Sequence, residues 1–352
     1  MSRRLRKCLL YMSVNAFRIA LLWIPFSTVF AQSPEPKVSS PSDHTLTIYV
    51  IRSVKPLDWE SPASLFKSYM DGYRSTILRK EKTMLGHIFI RLSTPLLAEP
   101  LYAGITNLSR KEQRDYVIKE KIGLGVLGAG MKARMQYIEE LLFKIEFYAN
   151  KNELAFITYT INEDGASRII NFYQKFILKF NENQAGSDFY GGAYWPLYYN
   201  EGSGCSAFGV AMLELANIKG DEIKLWKKEI NIPMNLIGGR FNHQLKIGVK
   251  KMKTAGSWHS GDGIEGIDYH HFEIYDPTLI YNWILAQVNQ VPEARCPGYY
   301  PTDIPQVPGL ISDRCSVAVN RFAPIFQNRP DTNLFIRYHY LKMAGMRKDS
   351  IR

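Results

Sequence analysis

The stretch that decides the fold runs Tyr199-Asn200-Glu201-Gly202-Ser203-Gly204-Cys205-Ser206-Ala207-Phe208-Gly209-Val210-Ala211-Met212-Leu213-Glu214-Leu215-Ala216. Gly202 and Gly204 interrupt regular structure before the cysteine. After it, Phe208, Ala211, Met212, Leu215 and Ala216 recur at helical spacing. Cys205 is therefore expected at or near a helix N-terminus, where unpaired backbone N–H groups and the positive end of the dipole favour a thiolate. The same N–H groups suit an oxyanion formed during acyl transfer. The competing reading is an inert buried thiol, because free cysteine packs as a small hydrophobe.

A nucleophilic thiol needs a base, and the chain has seven histidines. His87 has the most regular context. Gly86-His87-Ile88-Phe89-Ile90-Arg91-Leu92 alternates, with His87, Phe89 and Arg91 on one face and Ile88, Ile90 and Leu92 on the other. A second strand, Leu96 to Thr106, is expected after a turn near Ser93-Thr94-Pro95. A hairpin folded about residue 93 would set Glu99 across from His87, where a carboxylate orients the imidazole. Further along come a strand at Glu153–Ile161 and a helix of about Ala166–Lys179 with Ile169, Ile170, Tyr173, Phe176 and Ile177 on one face. An aromatic loop then leads to Asn200. Its run Phe189-Tyr190-Gly191-Gly192-Ala193-Tyr194-Trp195 suits an apolar or sugar-faced ligand, against the plainer reading that these rings only pack.

The order of these pieces resembles the circularly permuted branch of the papain-like NlpC superfamily, to which lecithin retinol acyltransferase belongs. The resemblance covers about residues 45–218. It rests on Gly86-His87-Ile88-Phe89-Ile90 preceding Tyr194-Trp195-Pro196-Leu197-Tyr198-Tyr199-Asn200 and Cys205. It implies an antiparallel sheet packed on a nucleophile helix, Cys205 as nucleophile, His87 as base and Glu99 as the third polar residue. Asn200, Tyr199, Trp195 and Tyr194 would line the substrate. The chemistry implied is thioester-forming hydrolysis or acyl transfer on an amide or ester, without a cofactor.

Residues 1–31 have the layout of a signal peptide. Arg3-Arg4-Leu5-Arg6-Lys7 is a basic start, an apolar stretch ends at Phe26, and Val29-Phe30-Ala31 offers a cleavage point before Gln32. Its five basic residues (Arg3, Arg4, Arg6, Lys7 and Arg18) would leave with it, taking the formal charge from +11 to +6. That modest excess suits anionic envelope surfaces and carries no nucleic-acid signature. No later stretch is long and apolar enough for a membrane span. The expected compartment is the periplasm, the outer membrane surface or the medium. Cys205, Cys296 and Cys315 remain after cleavage. Cys296 and Cys315 lie in a Pro/Gly-rich segment where a disulfide would close a loop, leaving Cys205 free. The expected organisation is a signal (1–31), a linker (32–44), the papain-like domain (45–225) and a C-terminal extension (226–352). Oligomeric state is not legible.

Two further motifs offer rival readings. Gly123-Leu124-Gly125-Val126-Leu127-Gly128-Ala129-Gly130 lacks the Gly-Lys-Ser/Thr of a phosphate loop and reads as a connector. His259, His270 and His271, with Asp262, Asp268 and Asp276, offer the donor types of a metal-dependent hydrolase, but the spacing forms no helical ligand pair, and no metal is assigned. The fold class expected is α+β. The function expected is an exported thiol hydrolase or acyltransferase acting on an envelope peptide, amide or lipid ester. The alternatives are a non-catalytic envelope binding or structural protein on the same fold, and the metal hydrolase.

Overall fold

Near-continuous apolar runs give this chain strands that are buried on both faces. His44–Ile51 (β1) has every residue after the first buried, and His87–Ser93 (β2) is buried through Leu92. The remaining strands are Leu101–Ala103 (β3), Ile105–Asn107 (β4), Met131–Met135 (β5), Leu154–Ile161 (β6), Phe189–Tyr190 (β7), Lys227–Pro233 (β8), Tyr269–Tyr275 (β9), Tyr300–Pro301 (β10) and Gly309–Asp313 (β11). The helices are Pro62–Arg79 (α1), Arg110–Ile118 (α2), Ile138–Ala149 (α3), Glu163–Ile177 (α4), Cys205–Leu215 (α5), Glu222–Leu225 (α6), Val249–Thr254 (α7), Pro277–Asn289 (α8) and Leu334–Met343 (α9). This computed structural model describes residues 44–79, 85–179, 184–302, 304, 306–331 and 333–343. The expected signal peptide and all of the linker except His44 lie outside the described residues.

The class is α+β. The main sheet has the order β10-β11-β6-β1-β2-β3. It is antiparallel from β6 through β3, but β11 joins β6 in parallel. The all-antiparallel sheet expected from the sequence is thus corrected at one edge. The cause is the crossover from β6 to a strand supplied by the 226–352 segment. That segment also packs α8 against β1 and β6, and all described residues belong to one compact unit.

Alternation along the strands divides the core. Ile48, Val50, Ile88, Ile90, Ala155 and Ile157 face a layer built by α4, α5 and α8. Tyr49, Ile51, Phe89, Leu154 and Phe156 face α3 through Leu141, Ile145 and Tyr148. Nine of the eleven α5 residues are buried, so α5 is a central helix and not an amphipathic cover. Phe208, packed at a tilt against Phe172 and Phe176 of α4, contributes about 2–3 kcal/mol of apolar burial. A second core gathers α1, α2, β8, β9 and α9 around Leu124, Met131, Ile232, Phe272 and Phe335. The 123–130 glycines pack there: a side chain at Gly128 would strike the Phe335 ring, and one at Gly130 the Tyr194 hydroxyl.

Candidate functional site

Cys205 begins α5, as its flanking sequence predicts. Gly204 is the N-cap in extended backbone and supplies no side-chain cap, which leaves the first N–H groups of the helix without that partner. The approach to the helix is tight. The Ser203 N–H donates to the Phe189 carbonyl at 3.0 Å, and a Cβ on Gly202 would collide with that same carbonyl. Gly202 is therefore required by a backbone contact between the 202–204 turn and β7. That contact sets Tyr190 beside the thiol, and its hydroxyl donates to Cys205 Sγ at 3.6 Å. Ser206 Oγ lies 4.0 Å from Sγ. Burial, and then the nearby thiol, raise the Tyr190 pKa, so it stays a neutral donor.

The expected Cys205–His87 pair is not assembled. None of the hydrogen bonds of Cys205 involves a histidine. His87 leaves β2 on the α3 face, next to Phe89, and its Nε2–H donates to the Gln136 side-chain carbonyl. Gly209, one turn beyond Cys205, packs on Ile88, whose side chain takes the opposite face. The reason is strand alternation: α5 is apolar and settles on the face of Ile88, Ile90 and Leu92, which turns His87 away from it. Burial, and then the Lys144 charge, push the His87 pKa down to about 3. Such a ring is a poor acceptor for a thiol proton.

Glu99 is also displaced. β2 pairs with β3 through Leu92↔Leu101 and Ile90↔Ala103, so residues 94–100 form the connection and Glu99 is an exposed loop residue. Thr94 lengthens the turn by accepting the Leu96 N–H on its hydroxyl at 3.2 Å and the Leu97 N–H on its carbonyl at 3.2 Å.

Of the four expected substrate-lining residues, Tyr194 and Trp195 border a cavity with Cys205, while Tyr199 and Asn200 do not. Asn200 sits at φ 60° and is exposed. Its carbonyl accepts from His339 Nε2 at 3.0 Å, and the other ring nitrogen accepts from the Tyr194 hydroxyl at 3.1 Å. The cavity measures about 720 Å³ and is lined mainly by apolar groups, among them Trp59, Phe66, Met70, Leu127 and Tyr190. Cys205 and Ala207 form part of its wall.

Sequence reasoning missed three features of this site. Tyr190 appeared only as one ring in an aromatic run. Glu201 stood between Asn200 and Cys205 as a spacer, yet its side chain is fully buried and held by Arg329 at 2.6 and 2.8 Å and by the Tyr340 hydroxyl at 2.9 Å. Glu201 also accepts the Trp195 N–H at 3.2 Å, so the pair braces both arms of the loop that leads to α5. Arg329 lies 128 residues away, and no local pattern marks it. The cavity itself arises from elements distant in the chain.

The 296–315 bridge expected from cysteine counting is not formed. The Cys296 N–H donates to Gln287 at 2.7 Å, and Cys315 Sγ reaches the Ile161 carbonyl at 3.8 Å. The Cys296 thiol is free. Strands β10 and β11 order this segment through sheet pairing instead. His259, His270 and His271 do not converge. His259 stacks on Tyr269, His270 is buried against Phe335, and His271 Nδ1–H donates to Asn231 at 3.0 Å. Among the described residues, His271 instead forms a group with Glu229 and Glu273 whose ligand-type atoms lie within 4.8 Å of one another. Lys227 already occupies this group, with its ammonium 2.7 Å from Glu229 and 3.0 Å from Glu273. No described helix is long and apolar enough to cross a membrane. Comparison of the chain with protein-family models, curated proteins and solved structures gives no match.

Proposed function

We propose that this protein is a non-catalytic envelope binding protein that takes the acyl chain of an amphiphile into the cavity beside α5, on a papain-like layout of sheet and buried cysteine-led helix. The cavity carries this reading. At about 720 Å³ it falls within the roughly 300–1,000 Å³ range of small-molecule sites, which are characteristically apolar with few polar groups. Tyr190 and Cys205 are polar groups here, and the lining also includes charged side chains, with Glu214, Lys227, Glu273, Asp276 and Arg329 among them. The hydrolase or acyltransferase reading keeps one supporting observation: Cys205 opens a helix in the cavity wall. The binding reading is preferred because Sγ hydrogen-bonds with hydroxyls and not with an imidazole.

The test is calorimetric titration with uncharged 1-monoacylglycerols of increasing chain length, below their micelle-forming concentrations. Burial of each added methylene is worth about 0.8 kcal/mol, so affinity should rise about fourfold per carbon until the cavity is filled. Ala207→Phe, which fills space beside Cys205, should abolish binding. Affinity independent of chain length, or unchanged by the filling variant, refutes the reading.

A further inference from the structure

Beside the apolar cavity lies a larger groove of about 1,330 Å³. The two share a wall in which Phe66, Tyr69 and Met70 of α1 and Val117 of α2 contribute to both. The groove differs in its charge. Lys67 and Arg74 come from α1, Lys111 and Arg114 from α2, Lys144 from α3 and Lys253 from α7. Asp71 is the one carboxylate among the described lining residues, and it lies 3.5 Å from Arg74. Lys67 and Arg74 are seven apart on α1, and Lys111 and Arg114 three apart on α2, so each pair shares a helix face. Four helices thus aim positive charge into one concavity whose inner wall is apolar. A cleft lined by one sign of charge beside low-dielectric walls concentrates the opposite charge.

We infer that the groove receives the anionic head group of the same amphiphile, so that the ligand is a single-chain lipid bearing a phosphate diester. This rests on the acyl-chain reading of the cavity. The chain enters past Phe66, Tyr69 and Met70, and the head group remains among the lysines and arginines of α1, α2 and α7. A neutral or zwitterionic head group leaves the positive field uncompensated and binds less tightly.

The experiment compares lysophosphatidylglycerol with 1-monoacylglycerol at one chain length of fourteen carbons, by calorimetry at low and at physiological salt. The lysolipid is expected to bind about tenfold more tightly at low salt, with the preference shrinking as salt screens the groove. Glycerol 1-phosphate, which carries the anion without a chain, is expected to show no measurable binding. The exposed triple variant Lys67→Gln, Arg114→Gln, Lys253→Gln is expected to lose the preference and keep its affinity for the monoacylglycerol. Equal affinity for the two lipids overturns this inference while leaving the acyl-chain reading intact. A preference that resists salt, or survives the triple variant, also overturns it, as does glycerol 1-phosphate binding as tightly as the lysolipid. Failure of both lipids to bind overturns the acyl-chain reading itself.

Discussion

Replacing His87 by glutamine should change how stability depends on pH, by an amount set by the burial of the ring. In the folded chain, burial first and the Lys144 charge second push its pKa down to about 3, against about 6.5 for an unperturbed histidine. Between those values the unfolded chain binds a proton that the folded chain refuses. Stability is therefore lost as pH falls through this window, at about 1.4 kcal/mol per pH unit. From pH 7 to pH 4.5 the loss due to His87 is about 2.5 kcal/mol. Glutamine keeps a neutral donor for Gln136 and has no titration of its own, so His87→Gln should lack this part of the slope. His270 and His339, whose values burial also lowers, titrate in both proteins and cancel in the comparison. Urea unfolding followed by tryptophan fluorescence at pH 7 and pH 4.5 measures the difference. Parallel losses in wild type and variant, agreeing within about 0.5 kcal/mol, would mean that the folded ring protonates near neutrality. That result would refute the buried placement and restore His87 as a possible base.

Three further outcomes follow from the loop around Cys205. Arg329→Gln removes the partner of the fully buried Glu201 and should cost about 3–5 kcal/mol in urea unfolding at pH 7; a loss below 1 kcal/mol would mean the pair is open to water. Gly202→Ala forces a Cβ into the Phe189 carbonyl and should cost at least about 2 kcal/mol, whereas an unchanged midpoint would show that β7 and the 202–204 turn are not in contact. Cys205→Ala should leave monoacylglycerol affinity within about threefold of wild type, because the thiol supplies only one patch of the wall; complete loss of binding would return the thiol to the centre of the function.

Elements marked by local periodicity were legible in the sequence. α5 starts at Cys205 because glycines break the chain before it and apolar residues recur after it. β6 lies at Leu154–Ile161, one residue inside the expected strand. The amphipathic stretch after Asn162 is helical, and it begins at Glu163, ahead of the expected Ala166, because the Asn162 side chain caps it by accepting the Gly165 N–H. The two faces of β2 were also legible. Their consequence, that an apolar helix takes the apolar face and leaves His87 on the other, follows from the same alternation. Register was not legible: a loop spanning 94–100 moves Glu99 off the strand, as the Leu92↔Leu101 pairing and the hydrogen bonds of Thr94 show. Nor were Glu201–Arg329, the Tyr190–Cys205 contact, the cavity or the basic groove. Glu201–Arg329, the cavity and the groove join elements far apart in sequence, and Tyr190 reaches Cys205 across an irregular loop of 14 intervening residues, where spacing carries no signal.

The most direct test of the binding account is residue-resolved alkylation of Cys205 by iodoacetamide, followed by mass spectrometry, with and without saturating 1-monomyristoylglycerol. Cys205 lies in the cavity wall and is only 7% exposed, while Cys296 and Cys315 lie outside that wall and serve as internal controls. The account predicts that the lipid slows labelling of Cys205 about tenfold or more and leaves the other two thiols unchanged. Equal labelling of Cys205 with and without the lipid would contradict it.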